Sequence, residues 1–245
     1  MTPAEINAQS LAAAEMWRLN DLRIRAEAAK MKSWQINQSL VAAALGVVLT
    51  ALSYGIAYMV GWDVQFSWLD ALAVGTSYAC TWLCVVQSRL NYPVGIVSVA
   101  LYSYIFWNAG FLALAAFNLY LVGSLVYGWF RWGRDSKPKL VTSLRFDRWT
   151  LGYVAIGLAI AGVCMLINML APGTFGTFDI AIAALSGVAQ LLLDNKRLQT
   201  WAVWLVVNLL SMYAFYYAGM YIVLLQYIFF TANTLVGYIS WKRSI

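Results

Sequence analysis

The chain has 245 residues, of which 62% are apolar and 11% are charged. Soluble domains average about 45 to 50% apolar and about 25% charged residues, so this composition excludes a soluble globular protein. Ten acidic residues, sixteen basic residues and no histidine exclude zinc chemistry and a serine–histidine triad. The net charge of +6 on so apolar a chain indicates an anionic bilayer surface rather than nucleic acid.

Residues 1–38 form the first predicted element and are too polar for a signal peptide. Trp17, Ile24 and Met31 recur every seven positions beside basic residues, which is typical of an amphipathic helix in the membrane interface. A solvated, flexible tail explains the mixed charge of this segment equally well. In both interpretations the segment is cytoplasmic and carries no function.

Eight apolar runs follow. A helix needs about 20 apolar residues to cross the hydrocarbon core, because no backbone polar group can stay unpaired there. The runs cover residues 39–60, 69–87, 92–109, 111–131, 149–170, 178–194, 200–217 and 220–240. The sequence therefore predicts an all-α integral membrane protein with eight transmembrane helices. Cys80, Cys84 and Cys164 lie inside these runs and are interpreted as small apolar side chains, not as metal ligands or disulfide partners.

The loops indicate an orientation, because basic residues concentrate on the cytoplasmic side of a membrane. With eight spans, all sixteen Lys and Arg residues fall on one face, whereas the opposite loops hold Asp63, Asp70 and Asp179. The sequence thus predicts that both termini are cytoplasmic. Asp70 and Asp179 open their helices, where we expect them to be N-terminal caps that complement the helix dipole.

An internal repeat appears when the sequence is shifted by 109 residues. Eleven of 63 positions agree between residues 69–131 and 178–240. The matches include the following pairs: Tyr104 with Tyr213, Ala109-Gly110 with Ala218-Gly219, Gly128 with Gly237, and, just beyond, Trp132 with Trp241. The Ala-Gly pairs stand where two spans reverse over a very short loop, which suits residues without bulky side chains.

The repeat predicts how the spans are grouped. Two three-helix units, 69–132 and 178–241, are joined by a linker span at 149–170, and the span at 39–60 is an extra helix. Because three is an odd number, one intervening helix gives both units the same orientation. Parallel repeats are a known transporter plan, with the substrate held between the halves. The alternative is a helical scaffold whose halves are similar by accident.

Polar residues at membrane depth are rare in this chain, and they mark candidate substrate contacts. Their spacing places several of them on shared helical faces. The candidates are Trp201, Trp204, Asn208, Gln226, Asn233, Gln190, Asn118, Ser98 and Tyr102. We expect a cavity with aromatic walls for a flat ring and with amides and hydroxyls for hydrogen bonds. The alternative is that these polar residues only pack between helices, and this is the preferred interpretation for Asn118 alone. For Trp201, a place in the aromatic belt at the membrane surface is a further alternative.

The absent residue types restrict the mechanism. No Lys or Arg lies in the middle of a span, so a phosphate or carboxylate would be buried without a counter-ion, and we expect neutral or cationic substrates. A mid-membrane carboxylate or imidazole for proton relay is missing, as is a phosphate-binding loop for ATP. Facilitated diffusion is the mechanism that remains, with no catalytic residue, metal or cofactor.

The motif Trp201-x-x-Trp204-x-x-x-Asn208, followed by Gly219, Gln226, Asn233 and Gly237-Tyr238-x-x-Trp241, resembles the PnuC family of nicotinamide riboside transporters. The resemblance covers residues 69–243 and includes the end of the first repeat, Tyr127-Gly128-Trp129-x-x-Trp132. It implies a vitamin-precursor uniporter of the bacterial inner membrane with a fold like that of SWEET sugar transporters. A cytosolic riboside kinase would trap the substrate by phosphorylation, and a homotrimer is implied by the resemblance alone.

Other functions stay open at this point. Relatives of the family carry thiamine or riboflavin, and the vitamin-binding subunit of an energy-coupling-factor importer would also be small, aromatic and helical. A membrane sensor or assembly scaffold, in which the polar stripes only pack, is an alternative from another class. An enzyme is the weakest interpretation, because no convincing base and nucleophile pair is present.

Overall fold

The computed structural model describes residues 3–108, 112–132, 140–143, 148–170 and 177–245. These residues form eight helices: α1 (Pro3–Val60), α2 (Trp68–Val85), α3 (Asn91–Asn108), α4 (Leu112–Arg131), α5 (Arg148–Leu170), α6 (Thr177–Asp194), α7 (Thr200–Tyr217) and α8 (Tyr221–Lys242). Within the described ranges, β pairing is limited to a single parallel bridge between Thr142 and Arg197. The predicted all-α fold class is confirmed.

Four described helices are both long enough and apolar enough to cross a membrane, namely α1 from Glu15, α5 from Leu151, α7 and α8. The other four are 18 to 20 residues long, which suffices for a span. Some of their polar side chains are buried in the protein, for example Ser98 in α3 and Gln190 in α6.

The described chain divides after Leu40 into two compact units. The first unit is the N-terminal part of α1, which is helical from Pro3 onward. Its surface carries the ion pair of Arg23 with Glu27 at 3.1 Å, a spacing of one helical turn. The side chains of the seven-residue pattern are exposed: Trp17, Ile24 and Met31.

In the second unit, α1 packs closely against α2. A Cβ atom added to Gly46 would lie 2.6 Å from the carbonyl oxygen of Gly75, so only a residue without a side chain fits there. Small residues allow two membrane helices to approach in this way. Elsewhere in the same contact between α1 and α2, the hydroxyls of Ser53 and Tyr78 lie 3.0 Å apart and share a hydrogen bond.

The remaining helices form two halves of three. In the first half α3 packs against α2 and α4, and in the second half α7 packs against α6 and α8. Helix α5 packs on α6. The halves meet where α2 contacts α8 and where α4 contacts α6. Each half therefore presents its first and last helices to the other half.

The backbone repeats at the same interval as the sequence. Gln87 after α2 and Lys196 after α6 are 109 residues apart, and both adopt left-handed φ angles of 57° and 49°. The next amide in each turn donates to a helix carbonyl at 2.8 Å, Ser88 to Leu83 in one half and Arg197 to Leu192 in the other. The two halves thus end their first helices with the same turn.

Two predictions about helix ends have different outcomes. Asp70 is not the N-cap of α2, because Ser67 holds that position and accepts a hydrogen bond from the Asp70 amide at 3.3 Å. Asp70 lies in the first turn, where its charge still complements the dipole, and Asp179 lies in the first turn of α6. Gly219 has a φ of +69° between α7 and α8, as a tight reversal requires. The Ala109-Gly110 pair, which matches Ala218-Gly219 in the repeat, lies outside the described residues.

Candidate functional site: a polar cavity between the two halves

A cavity of about 240 Å³ lies among α2, α3, α4, α6, α7 and α8. Its wall reaches along α6 from Asp179 in the first turn to Leu193 in the last turn. The structure brings all nine predicted contact residues to this one cavity: Ser98, Tyr102, Asn118, Gln190, Trp201, Trp204, Asn208, Gln226 and Asn233. That they bind a substrate stays a prediction, whereas their convergence is a property of the fold.

Helices α7 and α8 supply the largest polar wall. Trp204 and Asn208 lie one turn apart on α7, and Asn233 faces the same cavity from α8. Asn208 is 1% exposed and donates from Nδ2 to the hydroxyl of Thr234 at 3.1 Å. The hydroxyl of Thr234 in turn donates to the carbonyl of Phe230 at 2.8 Å. This chain of bonds directs the remaining oxygen of Asn208 away from Thr234.

Gln226 is oriented by a residue of the first half. The hydroxyl of Tyr102 donates to Gln226 Oε1 at 2.7 Å. The Nε2 atom of Gln226 is buried and has no hydrogen-bond partner among the described residues. A buried amide nitrogen without a partner is unfavourable by about 1 to 3 kcal/mol, and an acceptor on a bound molecule would remove that penalty.

Gln190 belongs to a buried network that sequence reasoning missed. Its Nε2 donates to Asp194 Oδ1 at 3.0 Å, and Asp194 is fully buried. The hydroxyls of Tyr92 and Ser124 donate to the same carboxylate at 3.1 and 2.9 Å. The sequence places Asp194 at the end of the sixth predicted span. Its spacing of four residues from Gln190 was the available signal for a shared helical face.

Of the two remaining predicted residues on α3 and α4, Ser98 has a role in packing as well. Ser98 donates its hydroxyl to the carbonyl of Ala73 at 3.0 Å, so it ties α3 to α2 at the cavity wall. Asn118 is half-buried on α4 and faces the cavity.

Aromatic rings complete the walls, and most of them were not predicted. Phe215 and Tyr227 stack at 5.5 Å between centroids with an interplanar angle of 25°, and Tyr102 stacks on Phe106 at 5.7 Å. Phe117 and Phe230 also line the cavity. In an apolar sequence these rings cannot be distinguished from ordinary packing residues, because the hydropathy pattern is the same for both.

Four buried rings form a cluster beside the cavity, which we call the aromatic plug: Tyr92, Trp132, Trp201 and Trp241. Trp201 forms part of the cavity wall and packs edge-on against Trp241 at 5.3 Å. Tyr92 packs against Trp132 in the same manner at 5.2 Å, and Trp132 meets Trp241 at 6.0 Å. Trp201 is thus buried in the protein, and the aromatic-belt interpretation does not apply to it.

The plug joins the two halves by reciprocal hydrogen bonds. The indole of Trp132, at the end of the first half, donates to the carbonyl of Leu193 in α6 at 3.1 Å. The indole of Trp241, at the end of the second half, donates to the carbonyl of Cys84 in α2 at 3.0 Å. Both acceptors lie in last helical turns, and each also accepts from a backbone amide of the following turn, Cys84 from Gln87 at 3.1 Å and Leu193 from Lys196 at 2.8 Å.

Cationic groups lie beside the plug. The Lys196 ammonium donates to Gln87 Oε1 at 3.1 Å and lies 4.5 Å from the centre of the Trp132 ring. Burial lowers the pKa of Lys196 from 10.5 to about 8. The Arg89 guanidinium lies 3.7 Å from the centre of the Trp129 ring. These contacts place positive charge beside the aromatic plug, at residues that do not line the cavity.

The cavity itself is poor in charge. Among the described residues that line it, none is Lys or Arg, and Asp179 is the acidic member. A phosphate would therefore lose its hydration without meeting a basic partner. A flat cation suits this site better, because indole and phenol faces attract positive charge.

Two equivalent triple-helix halves around a buried polar cavity, in a chain with helices able to cross a membrane, define a multi-pass membrane transporter. The sequence model of the nicotinamide mononucleotide transporter family matches residues 67–243. The chain belongs to that family.

Individual relatives support this placement. The chain is 24% identical over 212 residues to the nicotinamide riboside transporter PnuC of Escherichia coli (strain K12), which covers 75% of this chain and 88% of the relative. It is 24% identical over 196 residues to the protein of that name from Neisseria mucosa, covering 73% of each chain. The crystal structure of the vitamin B3 transporter PnuC matches with a TM-score of 0.67 at 23% identity, over 84% of this chain and 95% of that one, which shows a shared fold.

Proposed function

We propose that this protein is a uniporter that carries nicotinamide riboside into the cytoplasm by facilitated diffusion. The observation that carries the proposal is the cavity, which combines amides and aromatic rings and whose described lining contains neither Lys nor Arg. The family description names the mononucleotide, whereas the relatives are named for the riboside. The lack of a partner for phosphate favours the riboside.

The chemistry of the riboside suits the lining. Its pyridinium ring is flat and cationic, so the rings of Trp204 and Trp201 offer attractive faces, each contact contributing on the order of 1 to 2 kcal/mol when water is excluded. Its carboxamide and ribose hydroxyls need amide partners, which Asn208, Gln226 and Asn233 supply.

The proposed mechanism is rocking of the two halves around the cavity. Release on the side of the aromatic plug requires the indole bonds from Trp132 to Leu193 and from Trp241 to Cys84 to break. Both bonds cross between the halves, so they lengthen together when the halves separate. No proton coupling is invoked, and phosphorylation of the riboside by a cytosolic kinase would draw net uptake onward.

The proposed setting is the bacterial inner membrane with both termini in the cytoplasm. The one-sided distribution of Lys and Arg supports this orientation, and it makes the aromatic plug the cytoplasmic end of the cavity. The homotrimer rests on the family resemblance and is tested by the mass of the purified protein in detergent.

Counterflow in proteoliposomes tests the proposal. Vesicles that contain the protein and are preloaded with unlabelled nicotinamide riboside should accumulate labelled riboside, and nicotinamide mononucleotide, thiamine and riboflavin should compete weakly. Collapse of the proton gradient should leave the rate unchanged. Uptake no greater than in empty vesicles, or uptake that depends strongly on the gradient, would contradict uniport of the riboside.

A further inference from the structure

A buried carboxylate lies next to the cavity without forming part of the predicted contact set. Asp194 is 0% exposed and accepts hydrogen bonds from the amide of Gln190 and from the hydroxyls of Tyr92 and Ser124. These donors come from α6, α3 and α4, so the network spans both halves. Three donors on two oxygens is an arrangement that suits an ionised carboxylate.

The network decides which end of the Gln190 amide faces the cavity. An ionised carboxylate offers only acceptors, so the amide must turn its NH₂ group toward Asp194. The observed bond, from Gln190 Nε2 to Asp194 Oδ1 at 3.0 Å, agrees. Because the oxygen and nitrogen of an amide project to opposite sides, Gln190 Oε1 is directed away from Asp194. Gln190 lines the cavity, so it offers an acceptor to a bound molecule.

Gln226 is held in the opposite sense. The Tyr102 hydroxyl donates to its Oε1 at 2.7 Å, and its buried Nε2 has no partner in the described part of the chain. The cavity therefore has an amide acceptor on α6 and an amide donor on α8. A primary carboxamide carries both a carbonyl oxygen and an NH₂ group, whereas the corresponding carboxylate only accepts.

We propose that Asp194 is a positioning residue: by holding the carbonyl oxygen of Gln190 toward the ligand, it makes the cavity select a carboxamide over the corresponding carboxylate. The inference rests on the proposed function, since nicotinamide riboside supplies the carboxamide. A carboxylate in the same place would set its oxygen against the oxygen of Gln190. Such a contact between acceptors is unfavourable in a site shielded from water.

The test is a titration of the purified full-length chain with two ligands, nicotinamide riboside and nicotinic acid riboside, which differ only in this group. We expect the wild type to bind the amide at least about tenfold more tightly. Asp194→Ser replaces the acceptor-only carboxylate with a shorter hydroxyl that can also donate, so the Gln190 amide is free to turn its NH₂ to the ligand. In this variant the preference for nicotinamide riboside over nicotinic acid riboside should fall to about threefold or less. Part of that fall should come from tighter binding of nicotinic acid riboside to the variant than to the wild type.

The matched variants separate orientation from general damage. Asp194→Asn keeps an oxygen for Gln190 and offers its NH₂ to the Ser124 hydroxyl, so it should restore the wild-type preference. Ser124→Ala and Tyr92→Phe each remove one hydroxyl donor to Asp194, and they should lower the melting temperature without changing the preference. A purely structural role would weaken both ligands equally in Asp194→Ser and would never strengthen binding of the acid.

A second measurement needs no variant of Asp194. With ¹⁵N-labelled glutamine side chains, the NH₂ signal of Gln226 should shift when nicotinamide riboside binds, and that of Gln190 should shift much less. A larger shift at Gln190 would overturn the inference, as would a full preference for the amide in Asp194→Ser. If the wild type binds neither riboside, the proposed function fails and this inference fails with it.

Discussion

The two halves of this transporter are alike at their ends and different in their middles. Residues 109 positions apart form the same turns, and Trp132 and Trp241 donate to the equivalent carbonyls of Leu193 and Cys84. At several positions around the cavity the equivalent residues differ. The following pairs all line it: Val99 and Asn208, Phe117 and Gln226, Thr81 and Gln190, Gly95 and Trp204.

The difference separates two tasks. One task is packing of the two halves against each other. A duplicated set of turns and indole hydrogen bonds performs it, because each half contacts the other through equivalent residues. A small asymmetric ligand needs different groups on its different sides, so recognition is placed mainly in the second half. The first half contributes mostly apolar and small side chains to the wall, with Tyr102 as the residue that orients Gln226 across the interface.

The largest expected effect tests this asymmetry. Asn208→Leu should weaken binding of nicotinamide riboside by roughly 30- to 100-fold, or about 2 to 3 kcal/mol, because a buried amide is lost from the wall. Val99→Leu, at the equivalent position of the first half, should change affinity by no more than about threefold. Both are measured by calorimetric titration. Equal losses in the two variants would show that recognition is shared between the halves.

The next effect concerns the glycines that let the rings approach. A Cβ at Gly237 would collide with the indole of Trp201, and one at Gly128 would collide with Tyr92 and Asp194. Each Ala variant should therefore destabilise the fold by about 1 to 3 kcal/mol.

Gly123→Ala is the matched control for these variants, since its Cβ would meet no atom within 4 Å. It should be neutral or slightly stabilising, because Ala is favoured over Gly in a helix by about 1 kcal/mol. Melting temperatures in detergent provide the measurement. A Gly128→Ala protein as stable as Gly123→Ala would show that the network around Asp194 is looser than described.

A smaller effect tests the reciprocal bonds. Trp132→Phe and Trp241→Phe each remove an indole donor but keep an aromatic ring, so each should lower stability by about 1 to 2 kcal/mol. Because the two bonds are equivalent, both variants should lose a similar amount of stability, which thermal unfolding measures. A loss confined to one variant would show that the two ends of the plug are not equivalent.

The smallest effect comes from Lys196, the residue with a left-handed φ angle in the turn after α6. Lys196 has a pKa near 8 in the folded protein against 10.5 when unperturbed, so between these values the unfolded chain binds more protons. Stability should consequently rise as pH increases from about 8 to about 10.5, by on the order of 1 kcal/mol from this residue. Lys196→Gln, which copies Gln87 of the first half, should lose that part of the rise. An identical pH dependence in variant and wild type would remove Lys196 as its source.

The sequence predicted much of this architecture because membrane helices obey simple requirements of length and polarity. The hydropathy of the sequence predicted the eight helices, and its internal similarity predicted the 109-residue repeat. The nine candidate contact residues were selected because polar groups are rare in the spans, and all nine line one cavity. Rarity is informative in a membrane because each buried polar group is costly there.

What the sequence could not show depends on contacts between distant segments. Asp194 stands next to a loop, and only the approach of α3 and α4 buries it. The expectation that Asp70 caps α2 was wrong because Ser67, three residues earlier, supplies the cap. Trp201 was ambiguous because an indole near the end of a span suits either a membrane surface or a protein interior. Its contact with Gly237 and Trp241 places it in the interior.

The most direct test of the central claim is a titration of the purified protein with nicotinamide riboside and with nicotinamide mononucleotide, which differ by a single phosphate. A cavity whose described lining has no basic residue should bind the riboside and should bind the mononucleotide at least about tenfold more weakly. Equal or tighter binding of the mononucleotide would contradict the account, because the phosphate would then have a partner that this cavity does not provide.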